Sequence, residues 1–227
     1  GAFHSGRLRQ ALCVARGLLL MTLAAALPGC CCGIRLLGGS FPQDLADRPP
    51  LSPEAARLVA SAFEGIDPAR FADFHVHAVG VGTGGSGCSM HPDTTTWRHP
   101  FQRARFLVMQ SAAGVEGVPD LDRAYLDRIA ALAGEFPFPG GRPPRLLLYA
   151  MDRKHGRDGA AIERETAFHV PNGHVFSASA ARPDLFVPVM SVHPYRADAV
   201  GELRRWHAAG GRFLKWLPNT MGIDPSD

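Results

Sequence analysis

Asp73, Phe74, His75, Val76 and His77 alternate polar and apolar side chains over five consecutive positions. On an extended strand every second side chain shares a face, so Asp73, His75 and His77 would line one side while Phe74 and Val76 pack on the other. Two imidazoles about 7 Å apart along such a face can converge on one divalent cation from the strand end. Neutral imidazole suits zinc, and also manganese, iron or nickel. The competing use of the pair is a polar strand face whose hydrogen bonds are satisfied internally. An acid two residues earlier, and a place on the first strand of an alternating strand and helix series, favour the metal.

After His77 the chain runs Ala78-Val79-Gly80-Val81-Gly82-Thr83-Gly84-Gly85-Ser86-Gly87, a glycine-rich loop able to approach a ligand closely. It is not a dinucleotide fingerprint, because no helix pattern begins at its last glycines, and no Lys-Ser or Lys-Thr follows as a phosphate-binding loop requires. Other histidines carry less weight. His91 and His99 fall in the first long loop, His155 in the charged stretch 152–158, His169 and His174 beside Pro171-Asn172, and His207 on a helix face next to Arg204 and Arg205. None of these is assigned to metal.

The elements that must position the pair are legible from periodicity. Apolar runs at residues 71–77, 104–110, 145–151, 186–192 and 212–217 predict five strands. Amphipathic patterns predict helices at residues 120–134 and 197–209, the latter stopped by Gly210-Gly211. Another is expected from Asn172, as N-cap, to about Ala181, and a first helix from Ser52-Pro53-Glu54 to about Glu64. Strands that alternate with helices and are nearly continuous in apolar residues predict an α/β fold with a parallel sheet covered on both faces. Periodicity leaves an open doubly wound sheet and a (β/α)8 barrel as equal choices.

Composition supports one globular domain, with 46% hydrophobic and 20% charged residues in a chain of 227. The net charge of +3 owes part of its excess to Arg7, Arg9 and Arg16, and no basic surface for nucleic acid is implied. Residues 1–16 hold no acid, and Gly17 to Leu27 form an uncharged apolar run of signal-peptide length. The following Leu27-Pro28-Gly29-Cys30 resembles a bacterial lipoprotein signal, which would lipidate Cys30 and attach the protein to a membrane through its N-terminus. The alternatives are an uncleaved anchor or ordinary signal, the apolar stretch reaching Ile34, or a start set too far upstream, which would leave a cytoplasmic protein. The expected organisation is therefore a signal peptide or anchor at residues 1–32, a linker at 33–50 and a catalytic domain at 51–227. Cys30, Cys31 and Cys32 lack zinc-site spacing, and with Cys13 and Cys88 they outline no disulfide framework.

The first-strand His-x-His, together with residues 186–195 (FVPVMSVHPY), 212–219 (RFLKWLPN) and 221–225 (MGIDP), resembles the amidohydrolase-related branch of the amidohydrolase superfamily. That resemblance implies a (β/α)8 TIM barrel of which about the first five βα units are present, the domain being incomplete at its C-terminal end. It also implies that His75 and His77 ligate a divalent metal, zinc first among the candidates, with the remaining ligands beyond Asp227. Lys215 is placed where some binuclear members of the family carry a carboxylated lysine; its alternatives are a strand lysine paired with a carboxylate and one that holds a neighbouring loop. His193, at the end of its strand, is a second catalytic candidate, with Tyr195 and Arg196 beside it as substrate-binding candidates.

The activity implied is hydrolysis of an amide, ester or lactone in a small-molecule substrate by metal-activated water. The alternatives are decarboxylation of a small unsaturated or aromatic acid, and a non-catalytic lipid-anchored binding protein or inactive fragment.

Overall fold

A computed structural model describes residues 45–138 and 141–227. The signal or anchor expected at residues 1–32, its lipidation at Cys30 and the first part of the linker lie outside the described residues. The rest of the linker holds one 3-10 turn, Leu45–Asp47. Among the described residues no helix is long and apolar enough to cross a membrane.

The first helix, α1 (Pro53–Ala62), starts as its residues dictate, with the Ser52 side chain accepting the Ala55 amide at 3.1 Å and Pro53 in the first turn. The chain then enters β1 (Ala72–His77). The first long connection contains β2 (Ser89–Met90), α2 (Pro92–Thr95), α3 (Pro100–Ala112) and α4 (Leu121–Ala133), and leads to β3 (Arg145–Tyr149). β4 (Phe168–His169) and α5 (Asn172–Ala181) precede β5 (Phe186–Met190), and α6 (Ala199–Ala208) precedes β6 (Phe213–Leu214) and α7 (Pro218–Met221). β1, β3, β5 and β6 pair in that order, all parallel, while β2 and β4 form a separate antiparallel pair.

This architecture corrects the barrel expectation. The chain forms an open, half-barrel α/β sheet of four parallel strands, with β1 and β6 as its edges, in place of a TIM barrel begun by five βα units. Residues 104–110, expected as a strand, lie inside α3, where Pro100 occupies the first turn and Phe106 turns inward. A short apolar run fits a buried helix as well as a strand, and arginine, alanine and glutamine around it favour the helix. The run at 212–217 contributes only two paired residues before Pro218 opens α7. Four strands are too few to bend round and bond edge to edge.

The sheet has two distinct faces. On one, Leu146, Leu148 and Phe186 pack against Leu126 and Ala133 of α4 and Val175 and Ala178 of α5, and full burial of each large side chain stabilises by about 1.5–3 kcal/mol. On the other, Leu147, Tyr149 and Val189 form a smaller cluster with Ala72 and Val187. The Phe63, Phe71, Phe136 and Phe138 rings meet with centroids 5.2 to 6.0 Å apart, joining the end of α1 to the start of β1.

Candidate metal centre at the end of the first strand

β1 is not a regular strand. Ala72 and Asp73 stand opposite Arg145 and Leu146, but Val76 and His77 stand opposite Leu148 and Tyr149, so β1 holds one residue more than β3 over this interval. Such a bulge shifts the side-chain alternation. Asp73 therefore sits across from Leu146, a residue of the helix-covered core, while His77 sits across from Tyr149 of the opposite face. The shared row expected for Asp73, His75 and His77 is broken. The Asp73 carboxylate instead accepts the His75 amide at 2.8 Å, which fixes the bulge.

The bulge brings the imidazoles closer than a flat strand would. The His75 and His77 ring centroids are 5.0 Å apart and their Nε2 atoms 3.0 Å apart. Tyr149 lies beneath both, 5.7 Å from the His75 ring and 5.4 Å from the His77 ring. The Lys215 ammonium lies 5.0 Å from the centre of the same phenol ring, on the chain just after β6. All four residues stand at or near the carboxyl ends of parallel strands, where α/β proteins place their ligands.

Partial burial lowers the pKa of His77, and the neighbouring His75 and Lys215 lower it further. The imidazole is thus neutral at physiological pH, the form that binds a metal. Burial, followed by the Asp73 charge, raises the pKa of Tyr149 and keeps its phenol protonated.

The pair fits a divalent ion as a partial site. With metal-to-nitrogen bonds of about 2.1 Å, two nitrogens 3.0 Å apart subtend an angle of about 90° at the ion. A tetrahedral ion would ask for about 3.4 Å between them, a difference that rotation of the exposed His75 supplies. Among the described residues no group of three or more His, Cys, Asp or Glu gathers at one point, so the pair could supply at most two ligands of such an ion.

The other candidates are engaged elsewhere. His193 is fully buried; its Nε2–H donates to the Met221 carbonyl at 3.0 Å and its Nδ1 accepts the Tyr195 amide at 3.2 Å. Its pKa is lowered, chiefly by burial. The Tyr195 hydroxyl donates to Asp227 and accepts the Asp224 amide at 3.1 Å. Arg196 holds Asp152 at 3.2 Å and Asp198 at 2.8 Å, and Asp152 in turn accepts the His193 amide. These three residues knit the segments after β3 and β5 to the C-terminal segment, and none joins the histidine pair.

The glycine-rich loop wraps a side chain of the protein itself. The Asp122 carboxylate, 1% exposed, accepts the Val81 and Gly82 amides at 2.7 and 3.0 Å and the Thr83 and Ser86 hydroxyls at 2.9 and 2.5 Å. A Cβ at Gly80 would lie 2.3 Å from that carboxylate, and Gly82 adopts a φ of +92°, so both positions need glycine. Asn172, expected as a helix cap, instead pairs its amide with Ser191, donating to the carbonyl at 2.9 Å and accepting the amide at 2.8 Å; Pro171 takes the cap position.

Sequence reasoning missed Tyr149, the residue around which the site is arranged. The available signal was its place as the last residue of β3, one position beyond the inward row of Leu146 and Leu148. It had no signal for Asp122, whose four partners come from the distant loop. No family model, no curated protein and no solved structure matches this chain.

Proposed function

We propose that this chain contributes His75 and His77 as two ligands of a divalent-metal centre, zinc being the first choice, in a hydrolase of the amidohydrolase-related type acting on an amide, ester or lactone carbonyl. The observation that carries the reading is the 3.0 Å approach of the two Nε2 atoms at the carboxyl end of β1. Bound there, such an ion supplies Lewis acidity and water acidified towards neutral pH. The chain's own residues supply the rest. His75 and His77 supply imidazole nitrogens, and the bulge held by Asp73 brings their rings together. Tyr149 supports both rings, and the Lys215 ammonium places a positive charge beside them. Lys215 also favours a second reading, decarboxylation of a small unsaturated or aromatic acid, because an ammonium can hold the acid's charge.

The test is elemental analysis of the purified full chain after loading with zinc or manganese and extensive dialysis, alongside a variant carrying His75→Ala and His77→Ala. The expected result is about one ion per wild-type chain and none in the variant, with unchanged circular dichroism. Stoichiometric metal would justify assays on amide, ester, lactone and carboxylic-acid substrates. A folded wild type that takes up no metal would end the hydrolase reading and favour a binding protein.

A further inference from the structure

The sequence contains only two lysines, and they are treated differently. Lys154 is paired with Glu165 at 2.5 Å. Lys215 has no carboxylate within ion-pairing distance among the described residues, so the paired-lysine alternative does not describe it. Its backbone amide donates to the Met190 carbonyl at 2.9 Å, which holds it in line with the sheet, and its ammonium rests over the Tyr149 ring. A cation over an aromatic face keeps its three N–H donors available. The Tyr149 hydroxyl likewise has no hydrogen-bond partner among the described residues; its contacts are with the two imidazoles and Lys215. Beside them lie the apolar side chains of Leu147, Val187 and Val189. Asp73, the acid on β1, is occupied by the His75 amide.

We infer that Lys215 and Tyr149 form a carboxylate-recognition subsite beside the histidine pair, so that the substrate carries a free carboxylate on an apolar or aromatic body. This rests on the reading of His75 and His77 as the reacting centre. One ammonium and one phenol supply donors to both oxygens of a monoanionic carboxylate, and of the apolar side chains beside them the partly exposed Val187 can meet its carbon skeleton. A phosphate dianion would set two negative charges against this single ammonium.

The probe is benzoate, titrated calorimetrically into the full chain after metal removal with a chelator, with benzamide as its neutral counterpart. Wild type is expected to bind benzoate and not benzamide. Lys215→Met, which keeps the length of the side chain, is expected to weaken benzoate binding by about tenfold or more, and Lys215→Arg to retain part of it. Circular dichroism and thermal melting establish that each variant is folded, and zinc uptake is measured on the same preparations. Benzoate binding that is absent, indifferent to Lys215→Met or matched by benzamide would overturn the subsite, whatever the zinc result. Lys215-dependent benzoate binding without zinc uptake would keep the anion subsite and remove the hydrolase reading alone.

Discussion

His193, beyond the carboxyl end of β5, meets a backbone partner at each ring nitrogen and is fully buried. Among the described residues, the His75 and His77 rings, at the carboxyl end of β1, hydrogen-bond through their Nε2 atoms to each other and pack on the ring of Tyr149. Both groups stand where α/β proteins place ligands, yet only in the second do ring nitrogens meet each other in place of backbone groups, a bond that a cation could replace. Asp122 and Asp152 repeat the contrast among acids, since each is buried under donors from the protein, whereas Lys215, which pairs with no carboxylate among the described residues, stays beside the histidine pair. Position at a strand end is therefore a weak guide to function. What separates the two regions is how many hydrogen-bonding sites the fold has already used.

The sharpest way to break this comparison is to remove an acceptor from the satisfied region. Asp122→Ala leaves two amides and two hydroxyls without their carboxylate, and the expected loss is about 3–5 kcal/mol by urea denaturation. A loss below about 1 kcal/mol would mean the glycine-rich loop holds itself without the acid.

His193→Ala comes next. It opens a cavity and orphans the Met221 carbonyl and the Tyr195 amide, for an expected cost of about 2–4 kcal/mol. If that variant kept full stability and lost a chemical function instead, the division between the two regions would fail.

A smaller effect follows from pH. Burial lowers the His193 pKa from its ordinary 6.5. The unfolded chain therefore takes up a proton before the folded one does. The stability this neutral imidazole contributes is complete above pH 6.5 and is lost as pH falls from there towards the lowered folded value. The slope is at most about 1.4 kcal/mol per pH unit for one group. Denaturation at pH 7.5, 6.5 and 5.5 in wild type and His193→Gln would resolve it: the variant should lose part of the acid slope. An identical slope in both proteins would assign the effect to His77, His169 and His174, whose pKa values burial also lowers.

The smallest expected change is His75→Ala in the metal-free chain. The side chain is exposed and its ring nitrogen bonds only to His77, so stability should stay within about 0.5 kcal/mol of wild type while metal uptake falls. A large stability loss would place His75 in the structural class with His193.

Local pattern alone determined much of this protein. Short apolar runs marked β1, β3 and β5, Ser52 and Pro53 marked the start of α1, Gly210 marked the end of α6, and amphipathic periodicity marked α4. His75 and His77 were legible as a pair from their two-residue spacing on a strand, although the bulge breaks the row they were expected to share with Asp73. Tertiary structure decided the rest. Residues 104–110 became helical because packing of Phe106 against Val115 and Leu121 outweighed an ambiguous apolar run. The bulge that turns Asp73 away from the pair depends on the register with β3, and the encounter of Tyr149 and Lys215 depends on the order of β3, β5 and β6. His193 read as a catalytic candidate until its two backbone partners, one of them in α7, came into view. Periodicity reports which face a residue occupies within its own element. Whether its polar atoms are spent or free is set by partners far away in sequence, which long-range packing alone brings within hydrogen-bonding distance.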